Sequence, residues 1–294
     1  MSCFQGIELL TMRKASVIIV SIILLSAICF NTTGCKGESS EPESADSTSV
    51  ADSIGQEEAI ADTIEETPMP TAADMLFEDF IFNFASNRKL QTSRIKFPLP
   101  VIENGNKTYI NKRQWPTEHF FIDKDYYTLI FGNRKQMNAM NDTAVSHVTL
   151  ENILFDQKSI KQYKFSRIGG KWMLTEIESM PISESQNASF LDFYERFAID
   201  NEFQIESMND IVEFSAPDPD NDFANMSGTL LPDQWPAFKP EFMPTDSLYN
   251  FIYGNAIENS SQRIFIIEGV ASGMRTEMTF RLKNGKWVLT KFNS

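Results

Sequence analysis

Cysteine is nearly missing from this chain: three in 294 residues, at Cys3, Cys29 and Cys35. Everything beyond residue 35 therefore lacks the means for a disulfide framework, a thiolate metal site or a cysteine nucleophile. Histidine is scarcer still, with only His119 and His147, which leaves no imidazole cluster for a metal. Positive charge is also short, 26 Lys and Arg against 40 Asp and Glu, for a formal net charge of −14. With no basic run and no basic strip interleaved with aromatics, a surface that tracks phosphates is excluded, and no nucleic-acid partner is expected. No glycine-rich phosphate loop, G-x-S-x-G, H-E-x-x-H or C-x-x-C occurs either. No catalytic residue, metal or cofactor is assigned from the sequence.

One long apolar run is present, Ala15 to Phe30, preceded by Met12-Arg13-Lys14. Its sixteen residues fall short of the roughly 20 a spanning helix requires. A charged start, a short apolar stretch and small residues after it are the parts of a signal peptide, placed at 1–34 with translation starting at Met12. Asn31-Thr32-Thr33-Gly34-Cys35 resembles a bacterial lipobox, which implies lipidation of Cys35 after cleavage. The anchored product would be tethered to a membrane and would not span it. That points to the cell envelope, on an outer membrane facing the periplasm or the surface.

Residues 35–72 hold this cysteine and a segment in which ten Asp or Glu stand against one Lys, with no aromatic residue. Such a composition buries too little apolar area to offset its ordering entropy, so a flexible tether is expected. The remainder, 73–294, has 29 acidic and 23 basic residues, a net charge of −6.

That remainder repeats itself. Phe77-Glu78-Asp79-Phe80 with Phe84 matches Phe190-Leu191-Asp192-Phe193 with Phe197. Gln114-Trp115-Pro116 matches Gln234-Trp235-Pro236, Phe131-Gly132-Asn133 matches Tyr253-Gly254-Asn255, and GKWMLT at 170–175 returns as GKWVLT at 285–290. The offsets are 113, 120, 122 and 115 residues, so the copies differ by small loop changes. Two α+β domains follow, at 73–180 and 181–294, each near the usual size of a body with its own core. Each opens with a helix whose phenylalanines recur at helical spacing, with Thr71 and Asp74 in the relation of an N-terminal capping pair. Extended runs are expected at 94–97 and 210–214, ending near Pro98 and Pro217, and short helices at 123–131 and 246–253. Strands follow to the end of each copy. Gly169-Gly170 and Asn284-Gly285 read as two-residue hairpin turns, with Trp172 and Trp287 opening the return strand toward the core.

Helices first, then an antiparallel sheet closing on a tryptophan hairpin, resembles the nuclear transport factor two-like fold, a cone of bent sheet around helices. The lipoprotein start together with the paired blocks resembles, more narrowly, an uncharacterised family of Bacteroidetes envelope proteins with tandem domains of that kind. The wider fold includes isomerases, dehydratases and non-catalytic binding or dimerisation modules, so the resemblance implies architecture and leaves activity open.

Several residues deserve weighing as sites. Trp115 and Trp235, with Tyr127 and Tyr249, are the candidate ligand-binding residues, because aromatic rings stack on sugars and apolar groups; the competing reading is core packing. Asp79 and Asp192 hold equivalent places and could act as a cavity base, or merely favour the helix dipole. His119 aligns with Lys239, so the duplication does not keep it. Asp218-Pro219-Asp220-Asn221-Asp222 alternates carboxylates as calcium loops do, yet Phe223 stands where Gly is needed, so it reads as an exposed acidic loop. The expected function is a lipid-anchored, non-catalytic module binding an unknown small molecule, glycan or protein. The alternatives are an isomerase, dehydratase or hydrolase with one active cone, and a scaffold whose halves imitate a dimer.

Overall fold

The computed structural model describes residues 71–218, 220–254 and 260–294. Cys35, the signal segment and the tether through residue 70 lie outside the described residues. A 3-10 turn at Thr71–Asp74 carries regular structure back across the boundary placed at 72.

Each copy lays down two helices and then six strands in the same order, with a short third helix after the third strand in the first copy and before it in the second. The first has helices α1 (Phe77–Ser86) and α2 (Arg88–Ser93), strands β1 (Leu99–Glu103), β2 (Asn106–Ile110) and β3 (Tyr126–Phe131), helix α3 (Arg134–Asn138), then β4 (His147–Leu154), β5 (Ser159–Ile168) and β6 (Lys171–Pro181). The second has α4 (Ala188–Phe197), α5 (Asn201–Glu206), β7 (Met208–Asp218), β8 (Asn221–Leu230), α6 (Trp235–Phe238), β9 (Ser247–Tyr253), β10 (Gln262–Gly269), β11 (Arg275–Lys283) and β12 (Lys286–Asn293). The short second helices were not anticipated. Both are started by a side-chain cap: Asn87 accepts from the Leu90 N–H and Asp200 from the Phe203 N–H.

The strands form two six-stranded sheets, in the orders β2-β1-β6-β5-β4-β9 and β8-β7-β12-β11-β10-β3. The two orders are the same once each strand is replaced by its counterpart, except that the copies have exchanged their last strand. β3 of the first copy runs antiparallel along β10, from Phe131 opposite Ile264 to Tyr126 opposite Gly269. β9 of the second copy runs antiparallel along β4, from Tyr253 opposite Val148 to Ser247 opposite Leu154. Neither sheet is therefore the property of one repeat.

These exchanged strands correct the helices expected at 123–131 and 246–253. YYTLIF and SLYNFIY are short and rich in aromatic and β-branched residues, and five residues of each are buried. Burial on both faces removes the alternation that marks a half-exposed strand, so the pattern mimics a helix. Tyr127, Leu129 and Phe131 enter one core cluster while Ile130 enters the other. At the seam the Ile130 N–H donates to Asn250 Oδ1 at 2.8 Å, and Thr128 Oγ1 donates to the Tyr249 carbonyl at 2.8 Å. Asn250 in turn donates to Glu151, whose other oxygen accepts from Gln162 Nε2 at 2.9 Å. Glu151 is 1% exposed and has no cationic partner among the described residues, and its burial raises the carboxyl above its ordinary range against the opposing pull of those two amides.

Two further expectations are corrected. The run 94–97 supplies only a parallel bridge from Ile95 to Leu174, and the strand proper resumes beyond Pro98 at β1. Asp74 does not cap a helix; it is buried against Arg94, with both carboxylate oxygens bonded at 2.7 Å.

The repeated hexamer acts as a hairpin module. Gly169, Gly170, Asn284 and Gly285 all have φ between 50° and 79°, the left-handed values a two-residue turn demands. Trp172 and Trp287, then Leu174 and Leu289, face the core. Thr175 and Thr290 are the extra residues where each register shifts, and their hydroxyls donate across it to the carbonyls of Lys164 at 2.9 Å and Thr279 at 3.0 Å.

Candidate functional site

The four aromatic candidates lie in the interior. Trp115 is 6% and Trp235 1% exposed, and each indole N–H is bonded to the glutamine of the preceding short helix, Gln91 Oε1 at 3.0 Å and Gln204 Oε1 at 2.9 Å. Gln114 and Gln234 hold the turn before each tryptophan by accepting from the N–H of Asn111 and Leu231. Both residues of the Gln-Trp pair are thus consumed by structure. Tyr127 is buried with its hydroxyl on Glu78 Oε1 at 2.5 Å, and burial with that bond raises it far above an ordinary phenol. Tyr249 is buried too, which pushes its phenol up to about 12. None of these four rings offers a free face for stacking a ligand.

Asp79 and Asp192 are both exposed on their helices. His119 and His147 are exposed, and His147 Nδ1 meets Ser146 Oγ, one residue away, at 2.9 Å. Asp218 and Asn221 pair at the end of the β7–β8 hairpin, where the Asp220 N–H donates to Asp218 Oδ1. Among the described residues, no group of three or more His, Cys, Asp or Glu gathers where a metal could bind.

The feature that distinguishes one copy from the other lies beside the tryptophan hairpin. The aromatic cage there is duplicated closely. Phe77 meets Trp172 at 5.1 Å and 80°, as Phe190 meets Trp287 at 5.4 Å and 80°. Phe80–Phe84 and Phe193–Phe197 both lie at 5.3 Å, and Phe84–Phe165 at 5.4 Å and 88° is matched by Phe197–Phe280 at 5.2 Å and 87°. Backbone bonds fix the correspondence of the residues around the cage. The Leu174 N–H donates to the Arg94 carbonyl as the Leu289 N–H donates to that of Ser207. Arg167 pairs with Trp172 as Leu282 pairs with Trp287.

In the first copy two guanidinium groups close over this cage. Arg94, 9% exposed, reaches Asp74, the Trp172 carbonyl at 3.3 Å, and the Phe80 ring at 5.7 Å from its centroid. Burial alone would raise the Asp74 carboxyl, but the Arg94 bonds, the Trp172 N–H and nearby positive charge together hold it below its ordinary value. Arg167 lies 4.7 Å over the Trp172 ring and donates to the carbonyls of Asp74 and Met75. Phe80 and Trp172 are wholly covered.

In the second copy both arginines are gone. Ser207 and Leu282 stand in their places, and Asn187 replaces Asp74. Arg263 comes from β10 to bond Asn187 Oδ1 at 2.8 Å and covers Trp287 at 5.5 Å, but among the described residues no cation takes the seat of Arg94 over Phe193. An open cleft of about 720 Å³ results. Its walls are Phe193, Phe203, Leu282 and the edge of Trp287, and its rim carries Asp192, Glu206, Arg196 and Lys286. Arg196 is engaged with Asp200 and with the Phe203 ring at 4.1 Å. A neighbouring cleft of about 520 Å³, lined by Phe155, Ile182 and Leu191, shares Ser189 and Asp192 with it, so α4 divides two hollows.

Asp192 was weighed from the sequence; Phe193, Phe203, Ser207, Leu282 and Trp287 were not. The signal lay in aligned positions that differ, since Arg94 against Ser207 and Arg167 against Leu282 are losses of bulk within a retained frame.

A family model described as a domain of unknown function, DUF4348, matches residues 56–294. The chain belongs to the DUF4348 family. An NTF2-like protein from Bacteroides fragilis, known from its crystal structure, is 37% identical, with a TM-score of 0.69; the match covers 77% of this chain and 98% of that one. No curated protein matches. The α+β architecture of this DUF4348 chain, with its two sheet bodies, is thus NTF2-like. Among the described residues no helix is long and apolar enough to cross a membrane.

Proposed function

We propose that this DUF4348 protein is a lipid-anchored module of the cell envelope that binds a ligand or partner through the second repeat and performs no covalent chemistry. The observation that carries the binding reading is the open cleft: a cage matched to within a few tenths of an ångström, in which Ser207 and Leu282 stand where the first repeat has two filling arginines. Its volume lies in the usual range of ligand sites, and its aromatic walls with a few convergent charges match their chemistry. The anchor rests on the charged, apolar and small-residue succession ending at Cys35.

Refilling the cleft tests the binding reading. The double variant S207R/L282R restores the side chains of the first repeat. Screened by calorimetry against envelope glycans, peptides and apolar metabolites, the native protein should bind a member of at least one class, and the variant should lose it. Turnover of a substrate that survives the double variant would count against this reading. For the anchor, metabolic labelling with an alkyne fatty acid should mark the native chain and spare C35S.

A further inference from the structure

Resting on the cleft as the binding site, we propose that its occupant is the guanidinium of an arginine side chain presented by a partner polypeptide. The molecule itself supplies the precedent. In the first repeat the space between the helix pair and the tryptophan hairpin is taken by Arg94, with its charge over Phe80 and its polar edge on Asp74 and the Trp172 carbonyl. In the second repeat the same rings are present in the same geometry, and the residue that would carry the guanidinium is Ser207. A cation over a partly desolvated aromatic face is attracted by the ring quadrupole, and arginine is the side chain most often found there.

Charge agrees with geometry. The Asp192 and Glu206 carboxylates are exposed, and among the described residues neither is in an ion pair. Arg196 is paired with Asp200, which leaves Lys286 as the one opposing charge among the described residues of the rim. A chain of net charge −14 attracts basic partners over distance. The size of the cleft selects the source. At about 720 Å³ it is far larger than one guanidinium needs, and its open side admits the residues flanking an arginine in a polypeptide.

The test uses three probes on the intact, isotope-labelled protein: a blocked pentapeptide with one central arginine among glycines, the same peptide with citrulline, and free arginine. Indole N–H signals of Trp287 and Trp172 report on the two hairpins separately. The arginine peptide should shift the Trp287 signal saturably and leave Trp172 unmoved, with affinity about tenfold above the citrulline peptide. S207R/L282R should abolish the response. Should that variant misfold, D192N/E206Q, which changes only exposed carboxylates, should weaken binding about three- to tenfold. Equal binding of arginine and citrulline peptides would overturn the guanidinium assignment and leave the cleft standing. Free arginine binding as tightly as the peptide would overturn the polypeptide source. Peptide binding indifferent to both variants would overturn the cleft as well, and no binding of the arginine peptide at all would overturn the present inference alone.

Discussion

The two repeats hold one aromatic cage in two states, sealed by arginines in the first and open in the second. Retaining the rings while losing the plug separates what folding requires from what it does not. The cage of Phe77, Phe80, Phe84, Phe165 and Trp172 has its counterpart ring for ring, because it joins the first helix to the hairpin and each core depends on it. The buried Asp74–Arg94 pair, by contrast, has no counterpart in the second repeat, where Arg263 reaches Asn187 from a different strand. A buried ion pair adds little net stability over other fillings, so its replacement carries a small cost.

The comparison breaks most completely if the halves are separated. Expressed alone, 71–185 loses β9 from its sheet and leaves β3 without β10, and the expected result is no cooperative unfolding transition as a monomer. A cooperatively folded monomeric half would refute the importance of the exchange. Next in size, Arg94→Ser should turn the first repeat into a likeness of the second. It leaves Asp74 buried without its partner, at an expected loss of about 3–5 kcal/mol in denaturant unfolding. The Asp74 carboxyl lies below its ordinary value of 3.8 in the folded chain. Its stabilisation is therefore full above that value and is lost as pH falls through the depressed folded value; Arg94→Ser should flatten this acid limb. Asn187→Asp in the second repeat should show no such collapse.

Glu151 tests the seam that both repeats share. Its folded carboxyl lies above the ordinary 4.5, so its favourable contribution is present below that value and is lost as pH rises through the folded one. Glu151→Gln should therefore stabilise the protein at neutral pH and remove that dependence. A loss of stability at pH 7 would contradict the reading of an uncompensated buried charge. The smallest effect is expected at the bulges: Thr175→Val and Thr290→Val should each cost about 1 kcal/mol, alike in the two repeats.

Much of this architecture was legible in the residues. The doubled blocks announced the repeat, and Gly-Gly and Asn-Gly announced hairpins whose positive φ values are observed. The helices starting at Phe77 and near Phe190 followed from apolar spacing. The exchanged strands were not legible, since strand ownership is a matter of distant pairing and YYTLIF buries both its faces. Nor could the sequence show Trp115 and Trp235 bonded to Gln91 and Gln204, because those partners lie 24 and 31 residues away. For the cleft, the clue was a pair of substitutions between copies, and its meaning required knowing which side chains Arg94 touches.

Reciprocal lending of an edge strand also ties the inheritance of the two halves together. Drift at Leu129 is judged by Ile266, its partner on β10, and drift at Phe251 by Leu150 on β4. These two pairs are more than 100 positions apart, so a change of side chain in either half has to be accommodated by the other.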